Sequence, residues 1–160
     1  MRLTSPAFND GAELPRQCAR EEGNISPALQ WSEAPANAKS FVVLCTNTGE
    51  SANKSYLWAA YDLPAYRTEL VEGAGAPEGF EDFRHAMNDF GHFGYGGPSL
   101  RHSIDRQHIL FRVLALSCDE LPVRTHPSCE EIEQEAEKYS IDSASLVGVL
   151  GAQAIDWSHP

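Results

Sequence analysis

The side chains that could do acid–base chemistry are concentrated in the middle of the chain. Four histidines lie between residues 85 and 108, together with Asp89 and Asp105. Imidazole groups beside carboxylates can transfer protons near neutral pH or hold a metal ion. No two of these histidines have the i, i+4 spacing of a helical metal-binding motif. Proton transfer is therefore the chemistry that this region could support, and we expect no metal site.

The candidate catalytic groups of this region are His92, Tyr95 and His102. They lie in a long segment rich in glycine and aromatic residues, and long loops inside small domains are often functional. Two alternatives stay open, namely a solvated loop histidine and a tyrosine that only packs the loop. His108 is placed differently, because alternation along a strand turns it away from the face shared by Gln107 and Ile109. The sequence has no G-x-S-x-G motif and no glycine-rich phosphate loop, and we expect no cofactor.

Short apolar runs provide the elements that must position these groups. Runs at residues 41–45, 56–63, 109–116 and 145–150 are continuous rather than alternating, which predicts strands covered on both faces. Polar stretches separate them, and the chain contains 12 Gly and 10 Pro. This arrangement predicts a mostly β protein, either an all-β sandwich or a mixed sheet.

One helix is predicted to begin near residue 128. Ser128 followed by Glu131 fits the capping-box pattern, in which the serine side chain caps a backbone amide. Ile132, Ala136 and Tyr139 then fall on one face of the helix. We also expect a second, shorter helix within residues 80–87.

Length and charge limit the class of protein and the class of partner. A chain of 160 residues with 42% apolar residues suits one folded domain, which we assign to residues 1–160. The 12 Lys and Arg residues against 23 Asp and Glu residues give a net charge of −11. Such an acidic surface repels phosphate backbones and anionic lipids, so we expect no nucleic-acid partner and no membrane partner.

The start of the chain and the cysteines indicate a compartment. No apolar run suggests a signal peptide or a membrane span, so the expected localisation is cytoplasmic. The four cysteines lack zinc-finger spacing, and a reducing compartment keeps cysteines as thiols. We therefore expect unpaired thiols, while a disulfide between Cys118 and Cys129 stays open on their spacing.

Four segments, in order along the chain, resemble a known family. They are residues 3–8 (LTSPAF), 22–31 (EGNISPALQW), 88–98 (NDFGHFGYGGP) and 144–148 (ASLVG). Together they resemble the phosphatidylethanolamine-binding protein (PEBP) family, in its bacterial, Raf-kinase-inhibitor-like branch. The resemblance implies a PEBP-like β-sandwich with peripheral helices and a small anion-binding pocket. It also allows for a homodimer.

The sequence departs from the family at the positions that the resemblance assigns to this pocket. Where family members have an Asp-Pro-Asp-x-Pro loop, this chain has Asn47 followed by Thr-Gly-Glu-Ser. Leu57 stands where the family has a histidine, just before Trp58. Gln107 and Ile109 stand at the first and third positions of a His-Arg-Tyr triplet. The resemblance therefore implies that two imidazoles and one hydroxyl are missing from the pocket.

These replacements imply a pocket that is more apolar and more neutral than the family's own. Its expected ligand-binding residues are Asn47, Leu57, Tyr95, Gly97, Pro98, Gln107 and Ile109. Neutral amides cannot supply the charge-assisted hydrogen bonds that phosphate prefers. We therefore expect a PEBP-like protein that binds a small neutral or apolar molecule.

Two other functions remain open at this point. A pocket without its anion-binding groups could serve a cofactor-independent enzyme, such as an isomerase, a cyclase or a hydrolase of a secondary metabolite. His92, His102 or Tyr95 would then transfer the proton. Alternatively, the protein could regulate a kinase or a protease by binding it, as the resemblance implies for some family members.

Overall fold

The strands of the computed structural model, which describes residues 1–48, 54–77, 81–100 and 106–151, form two antiparallel sheets. The elements within these ranges are β1 (Arg2–Thr4), β2 (Leu29–Ser32), β3 (Ser40–Asn47), β4 (Ser55–Pro64), β5 (Glu69–Leu70), β6 (Arg84–His85), β7 (Gln107–Leu116), α1 (Cys129–Tyr139) and β8 (Ser140–Leu150). The four predicted strands correspond to β3, β4, β7 and β8. Of these, β8 begins at Ser140 rather than at residue 145.

The larger sheet has five strands in the order β6–β4–β3–β7–β8, and the smaller sheet has three in the order β1–β2–β5. β3 lies in the middle of the larger sheet, and its residues are buried from Ser40 to Thr46. Successive side chains of a strand point to opposite faces. On one face, Phe41 packs on Trp31 of the smaller sheet, with ring centroids 5.5 Å apart.

The other face of the larger sheet is covered by α1. Val42 and Leu44 of β3 share a hydrophobic cluster with Ile132 and Ala136 of the helix. The central strands therefore bury both of their faces, which is why their apolar runs are continuous. The prediction of a mostly β, sandwich-type fold is confirmed.

α1 begins where the capping pattern places it. The Ser128 hydroxyl oxygen accepts a hydrogen bond from the backbone N–H of Glu131 at 3.2 Å. Ile132 and Ala136 are buried, and Tyr139 is half-buried. The predicted helix is confirmed.

The second helix, expected within residues 80–87, is wrong for the part of that segment that the structure describes, and residues 78–80 lie outside it. Arg84 and His85 form β6 and pair with Tyr61 and Ala60 of β4. A helix of two turns leaves most of its terminal N–H and C=O groups without internal partners. Pairing with the edge of β4 satisfies such groups directly, so the tertiary contact decides the local structure.

All four cysteines are unpaired, so no disulfide joins Cys118 to Cys129. Burial raises the pKa of both Cys18 and Cys129 to about 12, which keeps these thiols protonated.

Among the described residues, no helix has the length and apolar character needed to cross a membrane.

Candidate functional site

A cleft of about 220 Å³ opens at one end of the larger sheet. Antiparallel pairing brings Asn47, the last residue of β3, level with Ser55 at the start of β4 and Ile109 near the start of β7. The ends of three strands therefore meet at one place, and the segment from Phe90 to Ser99 adds side chains to it. The lining residues are Arg20, Asn47, Ser55, Leu57, Phe90, Pro98, Ser99 and Gln107.

Two side-chain amides of the lining are joined to each other. Asn47 Nδ2 donates a hydrogen bond to Gln107 Oε1 at 2.8 Å. Gln107 Nε2 donates in turn to the carbonyl oxygen of Ser99 at 2.8 Å. The Gln107 carbonyl group is thus directed at Asn47, while its NH₂ group carries a second hydrogen beyond the one that Ser99 accepts. One hydrogen of the Gln107 NH₂ group is therefore not used by the described residues.

Arg20 brings a positive charge to the cleft, and it is the only charged residue among the described lining residues. It lies in a short 3₁₀ helix, Arg20–Glu22. Its guanidinium carbon lies 3.8 Å from the centroid of the Phe90 ring, a cation–π arrangement. Its Nε donates to the carbonyl oxygen of Gly97 at 3.3 Å, and its backbone N–H donates to Pro98 at 2.9 Å.

Sequence reasoning missed Arg20. The available signal was weak, because the residue lies two positions before the segment 22–31 that carries the family resemblance. Its place in the cleft depends on contacts with Phe90, Gly97 and Pro98, which are 70 or more positions away.

Residues in and just after the 3₁₀ helix hold the segment that contains Gly97 through hydrogen bonds. Asn24, whose φ of 58° lies in the left-handed region, accepts the backbone N–H of Gly97 at 2.6 Å through its side-chain oxygen. Glu21 accepts the backbone N–H of Leu100 at 2.8 Å and also the Ser99 hydroxyl. A Cβ atom on Gly97 would collide with the carbonyl oxygen of Cys18. Gly97 therefore supplies close backbone packing beside the cleft.

Phe90 is held by a buried asparagine. Asn88 is 4% exposed, and its side-chain oxygen accepts the backbone N–H groups of Phe90 at 2.9 Å and His92 at 3.2 Å. Its Nδ2 donates to the carbonyl oxygen of Gly94 at 2.9 Å. This turn fixes the ring on which Arg20 stacks.

Tyr95 packs the loop and does not line the cleft. It is 7% exposed, and its hydroxyl donates to the carbonyl oxygen of Cys18 at 2.7 Å. Its ring meets Trp58 edge-on, with centroids 5.9 Å apart. Burial raises the pKa of Tyr95 well above its usual value, so the hydroxyl stays protonated. Ile109, another predicted ligand-binding residue, is fully buried in the core.

Of the predicted binding residues, the structure therefore brings Asn47, Leu57, Pro98 and Gln107 to the cleft. The histidines stand apart from it. His92 is exposed in the turn made by Asn88, and within the described ranges no histidine lines the cleft. His102 lies outside the described residues.

A buried histidine outside the cleft has defined partners. Trp58 Nε1 donates to His85 Nδ1 at 3.1 Å, and His85 Nε2 lies 2.8 Å from a carboxylate oxygen of Glu81. Burial lowers the pKa of His85 to about 4, so the ring is neutral near pH 7. The neutral ring accepts from Trp58 and donates to Glu81, which satisfies both of its nitrogens. No described group of histidine, cysteine or carboxylate side chains is arranged to hold a metal ion.

Comparison with known proteins identifies the family and the fold. A family model described as "Phosphatidylethanolamine-binding protein" matches residues 4–151. The chain belongs to the phosphatidylethanolamine-binding protein family. The resemblance seen in the sequence is thereby confirmed.

Relatives within the PEBP family cover nearly the whole chain. The UPF0098 protein YbhB of Escherichia coli K12 is 30% identical over 161 residues, which cover 94% of this chain and 99% of that protein. A UPF0098 protein of Aquifex aeolicus is 28% identical over 149 residues, covering 93% and 87% of the two chains. The crystal structure of E. coli YbcL, described as a new member of the mammalian PEBP family, superposes with a TM-score of 0.83 at 27% identity, covering 94% and 97%.

Proposed function

We propose that this PEBP-family protein binds a small, largely apolar molecule in the cleft at the ends of β3, β4 and β7. The observation that carries the proposal is the composition of the lining. Leu57, Phe90 and Pro98 contribute apolar surface beside the joined amides of Asn47 and Gln107. Apolar walls with a few fixed polar groups are typical of small-molecule sites.

The size of the cleft supports a small ligand, or the end group of a larger one. Its volume is about 220 Å³. A water molecule occupies roughly 30 Å³ of liquid, so the cleft has room for about seven atoms of that size.

The positions at which the sequence departs from its family disfavour phosphate. Leu57 and Gln107 stand where the resemblance implies imidazoles, and both line the cleft. An aliphatic side chain donates no hydrogen bond, and a neutral amide forms weaker bonds to phosphate than a charged donor. We therefore propose that recognition of phosphate headgroups through the two imidazoles of the family pattern is lost in this chain.

Binding is favoured over catalysis by the placement of the candidate proton donors. The Tyr95 hydroxyl is committed to Cys18, and His92 lies outside the cleft. General acid–base catalysis needs a group within hydrogen-bond reach of the reacting atom. No described cleft residue is a histidine, a tyrosine or a carboxylate.

The proposal can be tested by NMR on isotope-labelled protein titrated with small amides and carboxylates. The Gln107 side-chain amide and the Leu57 methyl groups are expected to shift together. Gln107→Ala should weaken binding, whereas Gln30→Ala, at an exposed amide on β2, should leave it unchanged. Absence of any shift at the cleft, or shifts confined to another surface, would contradict the proposed function.

The loss of phosphate recognition has its own test. Calorimetry with inorganic phosphate and phosphoethanolamine should detect no binding to the natural chain. Replacing Leu57 and Gln107 together by histidine should create measurable phosphate binding below neutral pH, where imidazole is charged. Micromolar affinity of the natural chain for phosphate would refute the argument.

A further inference from the structure

Arg20 differs from other arginines of the chain in its partners. Four other arginines form close ion pairs, namely Arg16 with Glu22 at 2.7 Å, Arg67 with Asp82 at 2.6 Å, Arg112 with Glu137 at 2.9 Å and Arg124 with Glu131 at 2.6 Å. The contacts of Arg20 within the described structure are with backbone carbonyl groups and the Phe90 ring, and they include no carboxylate.

The carboxylate of Glu21, the residue next to Arg20, does not pair with Arg20. Both oxygens of Glu21 accept hydrogen bonds from the segment beyond the cleft, one from the Leu100 amide and one from the Ser99 hydroxyl. Arg20 is therefore oriented by the hydrogen bond from its Nε to Gly97 and by its contact with the Phe90 ring. The two terminal nitrogens of its guanidinium group make no hydrogen bond to the described residues.

Gln107 adds a second donor to the same cleft. Its carbonyl oxygen already accepts from Asn47, and its NH₂ group keeps one hydrogen after the bond to Ser99. Arg20 and Gln107 thus both offer N–H groups, and one of them is charged. The group that such a pair recognises best is an acceptor that carries one negative charge.

We propose that the cleft selects a monocarboxylate with a short apolar or aromatic body, and that Arg20 is the residue that determines this specificity. The inference rests on the proposed function, because it names the class of ligand for the same cleft. A guanidinium group binds a carboxylate through two parallel hydrogen bonds. Leu57, Phe90 and Pro98 then contact the hydrocarbon part of the ligand.

A phosphate dianion fits this cleft less well than a carboxylate. The described lining holds one cation among seven neutral residues, so the second negative charge would have no partner. Placing an unpaired charge beside apolar walls is costly. The net charge of −11 adds long-range repulsion that is larger for a dianion.

The experiment compares benzoate with benzamide, which has the same shape and no charge. NMR titration of the natural chain should show tighter binding of benzoate at the Gln107 amide and Leu57 methyl resonances. Arg20→Gln should weaken benzoate binding by about 10- to 100-fold, since a charge-assisted hydrogen bond is lost. The same substitution should leave benzamide binding nearly unchanged. Arg16→Gln, which removes a nearby arginine that is paired with Glu22, is the matched control.

The outcomes separate the inference from the proposed function. Equal binding of benzoate and benzamide at the cleft, or benzoate binding that Arg20→Gln leaves intact, would overturn the inference while the proposed function stands. No shift at the cleft with either compound would overturn both. The comparison of the two compounds on the natural chain needs no variant, so the inference stays testable even where Arg20→Gln lowers stability.

Discussion

The side chains of Asn47 and Gln107 are joined by a hydrogen bond of 2.8 Å between the end of β3 and the start of β7. The family resemblance implies an aspartate at the first position and a histidine at the second. A carboxylate and an imidazole are natural hydrogen-bond partners, and two amides replace that pair with a neutral one. The two positions therefore contact each other directly, through one hydrogen bond in which Asn47 is the donor and Gln107 is the acceptor.

The first prediction concerns this amide pair. Asn47→Ala and Gln107→Ala should each lower the free energy of unfolding by about 1 kcal/mol, since each removes one partner of a half-buried hydrogen bond. The double variant should lose less than the sum of the two, because the second substitution removes a bond that is already broken. Urea unfolding measures all three variants, with Gln30→Ala as an exposed control. Strict additivity would show that the two amides do not interact.

The second prediction concerns the hydroxyl of Tyr95. Tyr95→Phe should lower the free energy of unfolding by about 1–3 kcal/mol, because it leaves the buried carbonyl oxygen of Cys18 without its donor. Ligand affinity at the cleft should change little. Tyr66→Phe, at a residue that is 73% exposed, is the control and should have a smaller effect on stability. A large loss of affinity with unchanged stability would instead assign Tyr95 to the ligand.

The third prediction concerns pH and His85. Its pKa is about 4 in the folded chain and about 6.5 when unfolded, so the unfolded state binds more protons between these values. The contribution of His85 to stability is therefore present above pH 6.5 and is lost as the pH falls toward 4. The loss amounts to at most about 3 kcal/mol. Burial raises the pKa of Glu81, which acts in the opposite direction.

NMR titration of the His85 ring measures this difference directly. The ring resonances should stay constant from neutral pH down to about pH 5 in the folded protein and should titrate near pH 6.5 in urea. A folded-state midpoint close to 6.5 would contradict the buried, neutral assignment.

The fourth prediction concerns Gly97. Gly97→Ala should lower the free energy of unfolding by about 2 kcal/mol or more, since the added methyl group collides with the backbone oxygen of Cys18, which cannot swing aside. Gly91→Ala is the control. A Cβ on Gly91 meets no atom within 4 Å, and only its positive φ of 81° is unfavourable, at about 1 kcal/mol. Equal losses at both sites would argue against close packing at Gly97. Thermal and urea unfolding compare the two variants.

Local interactions account for the elements that sequence patterns predicted well. The Ser128 cap and the apolar face of α1 involve residues within one or two helical turns, so they can be identified along the chain. The prediction of a helix within residues 80–87 was wrong because the conformation of β6 depends on its pairing with β4, more than 20 residues earlier. The single-domain assignment to residues 1–160 stays a prediction.

The sequence by itself determined the family and the mostly β fold, and its resemblance to the family implied which pocket positions differ from the family pattern. Asn47, Leu57 and Gln107 could be singled out in this way because each lies within or just beside a predicted strand, at a position that the resemblance assigns to the family's pocket. Only the tertiary structure decided which side chains face the cleft. Tyr95 turns its hydroxyl to Cys18, while Arg20 reaches the cleft through contacts with Gly97 and Pro98. The physical reason is that side-chain direction in loops depends on hydrogen bonds between segments far apart in the chain, which no local pattern records.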